Sequence, residues 1–111
     1  MPQYAVMIFE SAPADQWPPE VNEQHMALAG RIAEAGGRVV AGMALRENST
    51  ATTIRGDLLT DGPFIETKEG LGGLFVLEAR DLDHALALAK LTPIVDGGVE
   101  VRPLIDFEVL G

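Results

Sequence analysis

Apolar and polar positions along the chain alternate between two periods and predict six extended segments and two helices. Residues 3–9 form a short, β-rich apolar run, which predicts a strand buried on both faces. Residues 10–17 carry Ser, Pro and Asp and read as a loop. Pro18-Pro19-Glu20 then opens a helix, because proline is tolerated in a first turn and an early acid suits the helix dipole. This helix runs to about Ala35 and stops at Gly36-Gly37, with Val21, His25, Leu28, Ala29 and Ile32 as its inward stripe. Residues 38–45 read as a second strand. Ala51 to Arg55 and Leu58 onward read as two short strands joined at Gly56-Asp57, a favoured hairpin turn. Asp61-Gly62-Pro63-Phe64 breaks the pattern, residues 65–70 are polar, and Gly72-Gly73 lead into a strand over 74–79. Asp81 caps a second helix over 82–91, with Leu82, Ala85, Leu86 and Ala89 as its core face and Thr92-Pro93 as its end. Residues 99–109 alternate apolar and polar for much of their length, as in a half-exposed strand, and Pro103 marks either an edge or an interruption in that strand.

The order is β, α, β, a hairpin insertion, β, α, β. That is the split βαβ pattern of an α+β, ferredoxin-like fold: an antiparallel sheet with two helices on one face. A single helical layer leaves the other sheet face in need of cover, and a second copy of the chain supplies it most simply, so a homodimer is expected. The 111 residues make one domain, 1–111, with an apolar fraction of 47% that suits a buried core. There are no cysteines, which excludes disulfides, thiolate metal sites and cysteine nucleophiles. The net charge of −9 makes nucleic acid and anionic membrane poor partners. With no secretory leader at the start and no run near the length of a membrane span, a cytoplasmic location is expected.

The stretch from Leu59 through Asp61-Gly62-Pro63-Phe64, Glu66 and Lys68 to Gly73 is distinctive. It resembles the signature of the DGPF-domain proteins, a branch of the YCII-related family. Flanking features agree: a Tyr/Met/Ile strand at the start, a His in the first helix, Ala51-Thr52-Thr53-Ile54-Arg55 before the signature, Asp81-Leu82-Asp83 at the second helix, and Val99-Glu100-Val101-Arg102-Pro103 near the end. The resemblance covers essentially the whole chain. It implies a dimeric α+β barrel of ferredoxin-like protomers. Most members of the family have no established activity, and those treated as enzymes are so treated for a His and an Asp in a pocket between sheet and helices. Members encoded beside sigma factors imply a regulatory setting as the alternative. Many relatives carry an acid just before the proline that follows the second helix; here the pair is Thr92-Pro93.

His25 shares the inward stripe of the first helix, where it is either a core histidine satisfied by one partner or a general acid or base. Asp61 either caps its turn or points at His25 and holds its tautomer, in place of the missing acid. Glu66 and Lys68 share a side if their segment is extended, and either line a pocket mouth or remain solvated charges. Gly62, Pro63 and Phe64 shape the motif, while Gly70, Gly72 and Gly73 lack the spacing of a phosphate loop and read as a bend or as room for close backbone approach. Arg102 either binds an anionic group or is an exposed strand residue. His84 falls away from Leu82 and Ala85 and reads as surface. With two histidines and no nucleotide fingerprint, no metal and no cofactor are expected. Three functions stay open: a cofactor-free enzyme using His25 and Asp61 on a small molecule, a non-catalytic small-ligand or regulatory module, and an interaction protein whose signature serves dimerisation.

Overall fold

Strand β1 (Gln3–Glu10) is the axis of the main sheet in the computed structural model, which describes residues 1–110. β1 pairs antiparallel with β5 (Gly70–Glu78) on one side and with β6 (Gly98–Pro103) on the other. β2 (Arg38–Ala44) adds outside β5, so the four-stranded sheet has the order β2-β5-β1-β6. β3 (Thr52–Arg55) and β4 (Leu58–Asp61) form a separate hairpin. The two helices, α1 (Pro19–Glu34) and α2 (Leu82–Ala89), share one core with a single sheet face. This is a mixed α+β arrangement compatible with the ferredoxin-like pattern.

Alternation along β1 sets the core. Tyr4, Val6, Ile8 and Glu10 face inward and are buried, while the residues between them are half-buried. Val6 lies between Phe75 on β5 and Val101 on β6. Leu28 and Ile32 of α1, with Ala85, Leu88 and Ala89 of α2, close over this face. β1 is therefore not buried on both faces, as its apolar run implies. On the opposite face Ala5, Leu74 and Val76 line a shallow hollow with Leu104 and Phe107 of the segment that follows β6. That segment is the reason the last strand ends at Pro103 rather than continuing to 109: Leu104 donates one more bond to the Gln3 carbonyl, and the chain then leaves the ladder.

Local chemistry explains the element ends. Pro19 opens α1, and Ala35-Gly36-Gly37 closes it with the N–H of Gly37 on the Ile32 carbonyl and that of Gly36 on the Ala33 carbonyl. Gly36 sits at φ 90°, in the left-handed region where a side chain is strained. Asp81 caps α2 by accepting from the His84 N–H at 2.8 Å. Gly70, Gly72 and Gly73 lie inside β5, which starts earlier than the apolar pattern implies, and Gly73 approaches the Met43 carbonyl of β2.

His84 corrects the sequence reading. It is buried, as are Ala85, Leu88 and Ala89, whereas Leu82 and Leu86 are exposed. Its Nδ1 accepts from the Arg80 N–H at 3.0 Å, and its Nε2 donates to the Ala35 carbonyl at 2.8 Å. The ring thus ties the end of α1 to the start of α2, and two polar backbone partners turn α2 by about one position from the face its leucines imply. A His84→Ala variant leaves both partners open and should lose about 1–3 kcal/mol of stability, read as a lower urea midpoint. An unchanged midpoint would show that the tie carries no load.

Candidate functional site

The cleft that holds His25 forms where the first half of α1 stands off the sheet. The loop after β1 makes a 3-10 turn at Ala14–Gln16 and delivers Trp17 under the helix start. The indole N–H donates to the Ala12 carbonyl at 2.9 Å, and the Asn22 side chain reaches the Trp17 carbonyl. Trp17 is buried, and its ring stacks on the His25 imidazole at 4.7 Å between centroids and 24° between planes. Ile8, Leu28, Gly42, Gly73 and Phe75 supply the floor and far wall of a cavity of about 260 Å³. Among the described residues, His25 is the one ionisable group lining it.

Burial lowers the His25 pKa below its ordinary value of 6.5; the Pro93 carbonyl and then the charge of Glu10 act in the opposite direction without cancelling it. Nε2 is enclosed and has no hydrogen-bond partner of normal geometry, so the Pro93 carbonyl is near without forming a full bond. Thr92, the residue before that proline, is also buried, and its hydroxyl is unpartnered as well. At neutral pH the site therefore holds a neutral imidazole between an indole and an apolar wall, the state required of a proton acceptor.

Glu10 was not singled out by sequence reasoning; its charge is the weakest of the three influences on the His25 pKa. It is 3% exposed, at the end of the inward register of β1. The signal was available: an acid continues the alternation Tyr4, Val6, Ile8. Trp17 also went unnoticed, because a tryptophan in a polar loop shows no period.

The other sequence candidates lie elsewhere. Asp61 is exposed at the end of the β3–β4 hairpin and does not line the His25 cleft. Its carboxylate makes no hydrogen bond among the described residues; the turn is closed instead by the Gly62 N–H on the Ala51 carbonyl and the Thr53 hydroxyl on the Gly62 carbonyl. Of the two readings of Asp61, neither a side-chain cap of its turn nor a bond to His25 is present within one chain; the hairpin is a sheet of its own. Gly62, Pro63 and Glu66 border a separate shallow depression with Asn48 and Ser49. Phe64 is exposed under the Arg55 guanidinium, 4.4 Å from its ring centroid. Lys68 is exposed and lies near Asp96, whose carboxyl is held below its ordinary value chiefly by the Ser11 hydroxyl and N–H. Arg102 is exposed on the sheet face opposite the cleft, beside Ala5, and pairs with Glu100. Among the described residues no cluster of His, Asp and Glu is arranged to hold a metal ion, and no helix is long and apolar enough to cross a membrane.

The His25 pKa has a thermodynamic consequence. Because the folded value lies below the unfolded one, unfolding takes up a proton between them, so His25 leaves stability intact above pH 6.5 and reduces it as pH falls through the folded value. A His25→Phe variant keeps the stack and cannot titrate. It should flatten the fall in urea midpoint between about pH 5 and 6.5, above the range where the carboxylates titrate. An unchanged profile would contradict a half-buried, neutral His25.

The model of the YCII-related domain matches residues 4–108, from the first strand to beyond the last. An uncharacterised protein of Rhizobium meliloti (strain 1021) is 32% identical over 113 residues, covering 91% of this chain and 90% of that protein. With a family match that spans nearly the whole chain, and a fold whose two helices cover one face of an antiparallel sheet, the chain belongs to the YCII-related domain family.

Proposed function

We propose that the Trp17–His25 cleft binds a small, flat, largely apolar molecule and that His25 moves a proton at it without a cofactor. The observation that carries this reading is the imidazole stacked on Trp17, the single ionisable group among the described residues that line an apolar cavity. Such a cavity favours a ligand of one or two rings, with a phenolic or enolic group for the imidazole to address. Trp17 is the single tryptophan of the chain, so its fluorescence reports occupancy directly. Phenol, catechol and an unsaturated lactone are suitable probes. The expected result is saturable quenching by at least one of them, with turnover that is lost in His25→Phe while the variant remains folded. Turnover that survives in His25→Phe, or no quenching by any probe, would contradict it.

The alternative is a binding or regulatory module, and one observation favours it: among the described residues no carboxylate lines the cleft to orient His25. With Asp61 on the hairpin and Thr92 in the place of the acid common in relatives, His25 would then recognise a ligand without transforming it. Quenching by a probe with no product formed supports this second reading over the first.

We also place the chain in the DGPF branch, in the cytoplasm, and as a homodimer. Ile54, Leu58, Leu59, Phe64 and Ile65 of the hairpin and signature are each more than 60% exposed, as are Ile105, Val109 and Leu110 after the last strand. A two-stranded hairpin with no core of its own is marginal in water, and a second copy would cover these side chains in a dimeric α+β barrel. Sedimentation equilibrium at micromolar concentration should give twice the chain mass. The mass of one chain at that concentration would refute the dimer.

A further inference from the structure

Among the described residues that line the His25 cleft, three carry polar side-chain atoms: Trp17, Asn22 and His25. The indole N–H is already taken by the Ala12 carbonyl, which leaves the imidazole and the Asn22 amide to face a ligand. Asn22 stands three residues before His25 on α1, so the two side chains are neighbours, with Cβ atoms about 5–6 Å apart. Both residues are half-buried. The start of α1 holds the Asn22 amide in one orientation. Its backbone N–H donates to the Pro18 carbonyl at 3.2 Å, and its side-chain Nδ2 reaches the Trp17 carbonyl at 3.4 Å. Pro18 and Pro19 have fixed φ and restrict the residue before them, so both carbonyls have little freedom.

With Nδ2 turned to a carbonyl, Oδ1 is turned away from it, and among the described residues no group donates to Oδ1. The cleft thus presents a neutral acceptor one helical turn from the imidazole, against an apolar wall where an unpaired polar group is costly. We propose that Asn22 is the specificity-determining residue of the cleft: Oδ1 accepts from a second donor, a hydroxyl or amino group, on the ring atom next to the group that His25 addresses. Adjacent ring atoms carry their groups a hydrogen-bond length apart, within joint reach of two converging side chains. The ligand class narrows from a flat apolar ring to a ring with two adjacent donors. This rests on the reading of the cleft as the ligand site, and the experiment separates the two: binding of any ring tests the site, and the choice between rings tests Asn22.

Trp17 fluorescence of the whole chain is titrated with catechol, 2-aminophenol and 2-methoxyphenol. The last keeps the ring and one hydroxyl but replaces the second donor by a group that can only accept. Asn22→Leu removes both the acceptor and the bond to the Trp17 carbonyl; Asn22→Asp keeps an acceptor and loses only the donor of that bond. The readout is the ratio of affinities within each protein. The wild type should bind catechol and 2-aminophenol about fivefold more tightly than 2-methoxyphenol. Asn22→Leu should bring the affinities together, and Asn22→Asp should retain the preference. A preference that survives in Asn22→Leu would overturn the proposal in favour of exclusion of the methoxy group by size. Equal loss in both variants would overturn it and leave Asn22 as a tie for Trp17. Quenching of the wild type by all three without preference would overturn it while the site stands, and quenching by none would overturn it together with the site. Should Asn22→Leu fail to fold, NMR of the wild type decides: the Asn22 side-chain amide signals should move with catechol and not with 2-methoxyphenol, and equal or absent movement ends the proposal.

Discussion

The register of β1 is the constraint from which the rest of the structure follows. Its alternation turns Tyr4, Val6, Ile8 and Glu10 to the helices, and a slip of one residue would turn all four away. Three of these build the core. The fourth brings a carboxylate into it, and a buried carboxylate must be hydrogen-bonded. The N–H groups of residues 95–97 meet that need, which fixes where the chain returns from α2 to β6. Core packing and the anchoring of this loop are therefore two consequences of one strand.

The cleft follows from the same arrangement. α1 packs tightly through Leu28 and Ile32, but one and two turns earlier it carries His25 and Val21, and there Trp17 fills part of the gap instead of the sheet. The indole stack and the enclosed Nε2 remove water from the imidazole and keep it neutral; the nearby carbonyl and the more distant charge of Glu10 moderate that effect. A neutral base in an apolar pocket is useful for one proton at a time on a small ligand, and that is the extent of the chemistry these side chains supply.

Much of this was legible in the chain. Pro19 and Gly36-Gly37 bound α1, the Gly56-Asp57 turn marks the hairpin, and the order of elements gives the antiparallel sheet with helices on one face. His25 on an inward stripe was legible too, since helical period alone places it beside Leu28. What could not be read were polar contacts between distant segments. His84 is buried because two backbone groups, one of them 49 positions away, satisfy its ring, and no local pattern announces them. Glu10 closes on a loop 85 to 87 positions ahead, and the sequence alone reads it as the first residue of a loop. Asp61 shows the converse. Its motif stands out in the sequence, yet the hairpin that carries it folds as a unit apart from the His25 cleft.

The central claim is that the Trp17–His25 cleft, and not the signature segment, receives the ligand. Chemical-shift mapping of the amide and indole N–H signals, while a small set of single-ring phenols and lactones is added, tests it most directly. The account predicts that the perturbations of any binder centre on the Trp17 indole, His25, Gly42 and Phe75, with Gly62, Glu66 and Lys68 unmoved. Perturbations centred on the signature segment, with Trp17 silent, would contradict it.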